Sequence, residues 1–262
     1  MNSLQAFLLG LVQGLTEFLP VSSSGHLEIG THLIGVEAHN NFLFALVVHG
    51  ATVLSTLVVF RKDIAQLCSG LFQFKWNDET KYIAKLLFSS LPVVAIGLIF
   101  NGQIKYLFTS NLFMVGAMLL VTATLLAFTF FAKSGDKSIS YRDAFIIGLA
   151  QAMAIMPGIS RSGATIATGL LLKNKKQNVA RFSFLMVLIP IIGANIIDTL
   201  NGEMVCDDSI GILPLIVGFA AAFISGLLAC KWMINIVKRG KLIYFAIYCL
   251  VVGLITIFAA GF

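Results

Sequence analysis

The sequence predicts an all-α polytopic membrane protein with six transmembrane helices and two re-entrant helical hairpins in an inverted-topology repeat. Three observations lead to this prediction. Of the 262 residues, 58% are hydrophobic and only 11% are charged, and the mean hydropathy is +0.93. Two long apolar stretches are broken near the middle by Pro, Gly and Ser. The Lys and Arg residues gather on one side of the resulting topology.

The composition excludes a soluble enzyme, a disordered chain and a nucleic-acid-binding protein, because ordinary soluble domains carry about 25% charged residues. The net charge of +6 is instead attributed to membrane topology. Cys68, Cys206, Cys230 and Cys249 have no paired spacing, so neither a disulfide framework nor a zinc site is predicted. No Lys or Arg precedes Arg61, so a cleaved signal peptide is not expected.

Six apolar segments are long enough to cross a bilayer, which takes about 20 residues. They are Phe42–Phe60, Ile83–Phe100, Leu112–Ala132, Phe182–Leu200, Ile210–Cys230 and Leu242–Gly261. Two other stretches, Leu4–Leu33 and Ala144–Leu172, are interrupted at Pro20–Gly25 and Pro157–Gly163. Because Pro and Gly end helices, each stretch is predicted to form two half-helices around an irregular loop. Such a loop at membrane depth must be buried in protein or line a wet cavity.

Loop charge favours re-entrant hairpins over full crossings. If neither broken stretch crosses, sixteen basic residues lie on one side, Lys105 lies on the other, and Arg161 lies inside the second break. The basic side is then cytoplasmic, and both termini face outward. The alternative of eight simple spans would abolish this sorting. The sixteen residues are Arg61, Lys62, Lys75, Lys81, Lys85, Lys133, Lys137, Arg142, Lys173, Lys175, Lys176, Arg181, Lys231, Lys238, Arg239 and Lys241.

The two halves of the chain repeat. Gly10–Gln13 matches Gly148–Gln151, and Ser22, Ser24 and Gly25 match Ser160, Ser162 and Gly163 at the same offset of 138 residues. The chain is therefore predicted to be one integral membrane domain, 1–262, with pseudo-repeats 1–138 and 139–262. Each half has one hairpin and three spans, so the second half starts on the opposite face. The two loops can then meet inside the bilayer, which is where a site is expected.

Glu17 and Arg161 are the clear intramembrane ionisable residues, and each lies in a broken stretch. Charged groups at membrane depth are costly and indicate function by default. The alternative is a structural ion pair that braces the two hairpins.

The second loop resembles an oxyanion site in its chemistry. Ser160, Arg161 and Ser162 open onto a predicted helix N-terminus, which presents free N–H groups and the positive end of the dipole. The planar guanidinium of Arg161 suits phosphate oxygens. Thr165 adds a further hydroxyl donor. Helix capping is the alternative role of the serines. The loop glycines, Gly158 and Gly163, are also assigned to diphosphate binding.

The first loop combines a hydroxyl, an imidazole and a carboxylate. The serines at positions 22 to 24 precede Gly25 and His26, and Glu17 lies upstream on the same half-helix. These groups supply a nucleophile, an acid or base and an activating or metal-binding group. Gln13 lies one turn before Glu17 on the same face, so the two can share a divalent cation. The remaining histidines, including His49, have no comparable setting.

These residues form two motifs that resemble those of the BacA/UppP family of undecaprenyl-diphosphate phosphatases. The first is QGLTEFLPVSSSGH at 13–26, and the second is PGISRSGAT at 157–165. The resemblance covers essentially the whole chain. It implies a bacterial inner-membrane enzyme of six spans and two re-entrant hairpins that removes the terminal phosphate of undecaprenyl diphosphate. That reaction recycles the lipid carrier for peptidoglycan and envelope synthesis and confers bacitracin resistance.

By this resemblance, Ser23 is the nucleophile, His26 the general acid or base, and Glu17 an activating or metal-binding group. Arg161, with Ser160 and Thr165, would hold the diphosphate. The family also implies a divalent cation, Mg²⁺ or Ca²⁺, a site open to the outer face, and other polyprenyl diphosphates as substrates. Many relatives have Glu where this chain has Gln13, and the lost charge would weaken a metal contact there.

A transporter or flippase of a polyprenyl phosphate or another anionic lipid is the competing interpretation, because broken helices in inverted repeats are typical of transporters. The Ser, His and Glu cluster favours chemistry, since transport needs no nucleophile. A second class of lipid phosphatase uses a His after its Ser-Arg pair, but no His follows Ser160-Arg161 here. The sequence leaves open whether the protein acts as a monomer or a homodimer.

Overall fold

The computed structural model describes residues 1–36, 41–100, 111–132, 135–193 and 210–261. These residues are mostly helical and form no β-strand, although an isolated bridge pairs Lys137 with Asn174. The all-α class is thus confirmed for the described residues. The helices are α1 (Ser3–Phe18), α2 (Ser23–Ile34), α3 (Asn41–Val59), α4 (Arg61–Leu71), α5 (Asp78–Ile99), α6 (Leu112–Phe128), α7 (Tyr141–Met153), α8 (Arg161–Leu171), α9 (Lys176–Met186), α10 (Ile212–Arg239) and α11 (Ile243–Ala260).

Within these residues, three helices are long and apolar enough to cross a membrane, namely α5, α10 and α11. Helix α3 with α4 would make a fourth, although the pair is bent by 73°. Helix α6 is apolar but has 17 residues. The described helices therefore have the composition of a multi-pass membrane protein. Lys105, Lys133, Cys206 and the last part of the predicted span Phe182–Leu200 lie outside the described residues.

Two helices extend beyond the predicted spans, and their ends explain why. Helix α5 begins at Asp78 because the Asn77 side chain caps it by accepting from the Thr80 N–H at 2.8 Å. Helix α10 continues to Arg239, with Lys238 and Arg239 in its last turn, and ends at Gly240 in the left-handed conformation. Cationic side chains near a C-terminus and a glycine just after it are both favourable. Apolar patterning alone does not detect such polar extensions.

Both broken stretches form two helices each. Helices α1 and α2 pack against one another, as do α7 and α8. The break in the first falls at 19–22 and in the second at 154–160. The predicted breaks at Pro20 and Pro157 are therefore confirmed, but their predicted ends are wrong, because α2 begins at Ser23 and α8 at Arg161.

The hairpins pack in a crossed arrangement. Helix α1 lies along α10 from the second half of the chain, and α7 lies along α5 from the first half. Glycines allow the close approach, because a β-carbon on Gly10 would meet the Gly218 carbonyl oxygen and one on Gly148 would meet that of Ser89. Small residues at helix contacts are the usual means of association in lipid, where apolar side chains gain little by leaving it. Helices α6 and α11 also pack together.

The largest buried apolar cluster joins both halves around the inner ends of the hairpins. Phe18 of α1, Ile147 of α7, Ile166 of α8, Phe182 of α9 and Met233 of α10 all belong to it. Such packing fixes the relative positions of the two breaks, which a precise site requires.

Candidate active site

The first break is a sharp turn that places Ser23 at the start of α2. Helix α1 ends before Leu19, which is extended, and Pro20 cannot continue it. Ser22 follows with a φ of 72°, a left-handed conformation that is uncommon for residues other than Gly, Asn and Asp. The Ser22 side chain accepts from the Gly25 N–H at 3.3 Å and so caps α2. This strained turn directs Ser23 back toward α1.

The second break is fixed by Thr122 of α6. The Thr122 hydroxyl donates to the Gly158 carbonyl at 2.9 Å and accepts from the Ser160 N–H at 3.0 Å. Gly158 has a φ of 96°, and a β-carbon there would meet Met118 and the Val115 backbone. Its glycine is therefore needed for backbone conformation and packing. Ser160 caps α8 by accepting from the Gly163 N–H at 3.0 Å, so that N–H is already occupied.

The two breaks meet, as the repeat predicts. Arg161 Nη2 donates to Glu17 Oε1 at 3.0 Å, and Ser162 Oγ donates to the Leu19 carbonyl at 3.2 Å. A β-carbon on Gly25 would lie 3.2 Å from the Gly158 Cα, which shows how closely the backbones approach. The Glu17 and Arg161 side chains are 10% and 29% exposed, so the carboxylate is buried while the guanidinium is still accessible.

Of the serines at positions 22 to 24, Ser23 is the one that contacts the Glu17 carboxylate. Its Oγ donates to Glu17 Oε2 at 2.5 Å. The hydroxyls of Ser22 and Ser24 instead lie 3.4 Å from one another. Glu17 thus holds Ser23 on one oxygen and Arg161 on the other, so the three residues form a continuous chain from a hydroxyl to a cation.

His26 bonds to groups other than the Glu17 carboxylate. Its Nδ1 is 2.9 Å from the Ser22 carbonyl oxygen, and its Nε2 is 2.8 Å from the Tyr248 hydroxyl. The two rings stack with centroids 5.6 Å apart. The structure therefore places the predicted acid or base one helical turn from Ser23, with no hydrogen bond between them among the described contacts. Tyr248 carries no signal in the sequence that would have linked it to His26.

The expectation that His49 lies apart from the candidate site residues is wrong. Its Nε2 lies 3.7 Å from Glu17 Oε2, and its Nδ1 lies 2.8 Å from the Ala45 carbonyl oxygen. Because a carbonyl only accepts, Nδ1 carries the proton and Nε2 faces the carboxylate. The available signal was the position of His49 inside an apolar helix, where an ionisable side chain indicates function.

Gln13 and Glu17 have the donor atoms of a divalent cation site. Gln13 is completely buried, and its Nε2 donates to Glu17 Oε2 at 2.9 Å. Its Oε1 has no hydrogen-bond partner within the part of the chain that the structure describes. Mg²⁺ and Ca²⁺ prefer oxygen ligands, and an orphaned buried amide oxygen beside a carboxylate fits that preference. The described residues include no group of three His, Cys, Asp or Glu that could hold a metal, so further ligands would come from substrate and water.

The other predicted phosphate ligands are engaged with protein. Thr165 Oγ1 donates to the Arg161 carbonyl at 2.8 Å, and Ser160 Oγ lies 3.2 Å from Ser162 Oγ. Arg161 is thus the accessible donor for an anion, and the serines and Thr165 fix the helix start that carries it.

Known proteins match this chain over nearly its whole length. A family model described as bacitracin resistance protein BacA matches residues 6–255. The undecaprenyl-diphosphatase of Parabacteroides distasonis is 58% identical over 261 residues, which are 98% of each chain. That of Christiangramia forsetii is 53% identical over 99% of each chain, and that of Oceanobacillus iheyensis is 38% identical over 96% of this chain and 94% of its own. The chain belongs to the BacA family of bacitracin resistance proteins.

Proposed function

We propose that this protein hydrolyses undecaprenyl diphosphate to undecaprenyl phosphate and inorganic phosphate. The activity would recycle the lipid carrier used in peptidoglycan and envelope synthesis and would confer resistance to bacitracin. The names of the close relatives support this function. The observation that carries it is the chain of contacts from Ser23 through Glu17 to Arg161, which joins a nucleophile, a base and a phosphate-binding cation.

In the first step, Ser23 Oγ attacks the terminal phosphorus. Glu17 takes the hydroxyl proton through its existing hydrogen bond while the Oγ–phosphorus bond forms. The bond from that phosphorus to the bridging oxygen breaks, and undecaprenyl phosphate leaves with the bonding electron pair. Water then attacks the phosphoserine and gives one proton to His26, which has already protonated the leaving undecaprenyl phosphate. Glu17 returns its proton to Ser23 Oγ as the Oγ–phosphorus bond breaks, so the hydroxyl is restored and inorganic phosphate leaves.

Arg161 holds the diphosphate and stabilises the charge that develops on it. Its guanidinium is accessible and carries fork-shaped donors suited to phosphate oxygens. Ser160, Ser162 and Thr165 would add contacts at the start of α8, where N–H groups and the helix dipole favour an anion. Gly158 and Gly163 would contribute indirectly, because each lets the loop pack closely against neighbouring protein. Binding of the diphosphate would draw Arg161 away from Glu17 and free that carboxylate to act as a base.

His26 is the second acid or base. Its hydrogen bond with Tyr248 joins the reaction to an exposed phenol on α11. A protonated His26 would donate to the bridging oxygen of the leaving undecaprenyl phosphate. It would therefore act on the opposite side of the phosphorus from Ser23 and Glu17.

A divalent cation, Mg²⁺ or Ca²⁺, is proposed as cofactor, with Gln13 Oε1 and the Glu17 carboxylate as the protein ligands. When bound, it would neutralise phosphate charge. Since Gln13 is neutral, its contact adds no charge attraction, and the cation would be held mainly by Glu17 and the diphosphate.

We further propose six spans and two re-entrant hairpins in an inverted repeat, placed in the bacterial inner membrane with both termini and the site facing outward. The crossed packing of α1 on α10 and of α7 on α5 supports it, because corresponding helices of the two halves exchange places. The predicted excess of Lys and Arg on the side opposite the termini supports an outward-facing position of the termini.

The test is phosphate release from undecaprenyl diphosphate by the purified protein, with and without a chelator. We expect release that stops on chelation and returns with Mg²⁺ or Ca²⁺. Release that is unchanged by the chelator would agree with the phosphatase activity but would contradict the proposed metal-binding role of Gln13 and Glu17. No release from a monodisperse protein that binds the substrate would overturn the phosphatase and favour a transporter.

A further inference from the structure

A small cavity adjoins the Glu17–Arg161 pair. Helices α1, α3, α7, α8 and α9 contribute to its lining, and the polar lining comes from the ion pair and from Thr56, Gln151, Ser162, Thr165 and Ser183. Ser23 is not part of the lining. Because Glu17 and Arg161 belong to the lining, the cavity adjoins the proposed active site.

Two of the lining side chains have buried polar atoms without partners. Gln151 is completely buried, and neither its Nε2 nor its Oε1 has a hydrogen bond in the described residues. Ser183 is 3% exposed, and its Oγ is likewise unpartnered. An unsatisfied buried polar group costs about 1–3 kcal/mol, and native proteins rarely leave one so. Three such atoms around one cavity therefore indicate a ligand.

The hydroxyl oxygens of Thr56 and Thr165, which also line the cavity, are further hydrogen-bond acceptors. Thr56 Oγ1 donates to the Thr52 carbonyl at 3.0 Å, and Thr165 Oγ1 donates to the Arg161 carbonyl at 2.8 Å. Each hydroxyl proton is thus directed to the backbone, and each oxygen keeps a free lone pair. The cavity combines these acceptors with the amide group of Gln151, which both donates and accepts.

The cavity has room for a water molecule. About 20 Å³ of it is open to the centre of a water. A buried water also needs two to four polar partners. Gln151 and Ser183 offer such partners.

We propose that this cavity binds one ordered water, held by Gln151 and Ser183 and placed against the Glu17–Arg161 pair. Gln151 is then a positioning residue that acts through the water. A buried ion pair needs additional hydrogen bonds to its remaining donors and lone pairs. Among the described contacts, the Arg161 side chain uses only the bond to Glu17. The water would satisfy another donor of Arg161 and hold the guanidinium where the diphosphate arrives.

The water site itself is tested by an experimental structure of the complete protein in lipid nanodiscs, at a resolution that shows ordered water. We expect a peak at hydrogen-bond distance, about 3 Å, from both the Gln151 amide and Ser183 Oγ. The peak should disappear in Gln151→Leu. An empty cavity in the unaltered protein, or a Gln151 amide bonded directly to protein, would overturn the proposal. This readout needs no activity, so its failure is distinct from failure of the proposed phosphatase.

The role of the water rests on the proposed function and is tested by kinetics. Gln151→Leu should lower kcat about tenfold with little change in KM, because a misplaced catalytic group costs rate. Ser183→Ala should lower kcat, and Ser183→Thr, which keeps the hydroxyl, should restore it. Thr256→Val is the matched control, since that buried hydroxyl bonds within its own helix at Val252. Unchanged kcat in both Gln151→Leu and Ser183→Ala would overturn the positioning role, as would an equal loss in Thr256→Val.

Discussion

Gln13 and Gln151 occupy corresponding positions in the two broken stretches, and each is completely buried. The side-chain oxygen of each has no partner among the described residues. Gln13 donates to Glu17, whereas Gln151 lines the cavity beside the Glu17–Arg161 pair. The side-chain amides of Gln13 and Gln151 thus lie near the same carboxylate–guanidinium pair. Their neighbours differ, because Glu17 lies one turn from Gln13 and the second half has no carboxylate there. The same Gly-Leu-x-Gln pattern thus occurs in two chemically different surroundings.

Ser23→Ala should reduce phosphate release by at least about 10³-fold, because loss of a nucleophile usually costs this much or more. Substrate binding should survive, since Arg161 and its loop are untouched. The measurement is single-turnover release together with binding of undecaprenyl diphosphate to the same preparation.

Ser24→Ala is the matched control for Ser23→Ala. Its hydroxyl lies beside Ser22 rather than Glu17, so its loss should cost at most a few fold. Normal release from folded Ser23→Ala, or an equal loss in Ser24→Ala, would remove Ser23 from the role of nucleophile.

Much of this arrangement could be predicted from the chain. Pro and Gly breaks located both loops, and the scarcity of intramembrane charge singled out Glu17 and Arg161, which proved to be paired. The contacts of Thr122 and Tyr248 could not be predicted, because they join residues 38 and 222 positions apart in the sequence and nothing local marks them. They depend on how helices pack, which the order of apolar segments does not determine.

His49→Gln should lower kcat about tenfold or more, since an acid or base placed at a reacting group contributes about 10²–10⁴-fold and His49 meets the reaction only through Glu17. Gln keeps a polar side chain of similar reach but cannot exchange a proton. The effect should be absent in Glu17→Gln, where the carboxylate that His49 faces is already lost. A pH–rate profile of the single and double variants measures this coupling.

The prediction for His49 would be wrong if the effects of His49→Gln and Glu17→Gln on kcat were independent. If His49→Gln reduced kcat by the same factor in both backgrounds, the 3.7 Å approach to Glu17 would have no role in the reaction. His32→Gln serves as control, because His32 belongs to the last turn of α2 rather than to the site.

Asp143 at the start of α7 should make stability fall in acid. Burial raises the pKa of Asp143, but hydrogen bonds from Lys137 and from the Ser140 backbone and side chain outweigh it, so the pKa lies below its ordinary value. A carboxyl group with a lowered folded-state pKa stabilises the protein fully above its unfolded pKa of about 3.9. That contribution is lost as the pH falls through the folded-state pKa.

Asp143→Asn should therefore lower the thermal midpoint at neutral pH, by the equivalent of about 1–3 kcal/mol for a lost charged hydrogen bond. The difference from the unaltered protein should vanish at the acid end of a pH series of melting curves. Asp78→Asn is the control, because Asp78 pairs with Lys81 but is 96% exposed, and such pairs contribute little. An equal effect of the two substitutions would show that burial of Asp143 does not matter.

Trp76 should lie in the membrane interface. It follows the amphipathic helix α4, which turns 73° away from α3, and the side chains of Phe72, Phe74 and Trp76 are 73%, 92% and 67% exposed. Aromatic residues beside basic ones on a short amphipathic helix favour the headgroup region. Trp232→Phe leaves Trp76 as the single tryptophan, since the chain has two. Its fluorescence in liposomes should be quenched strongly by lipids brominated near the headgroup and weakly by iodide in water. Strong iodide quenching with no effect of brominated lipid would place this segment in solvent and assign the exposed aromatic residues to another contact.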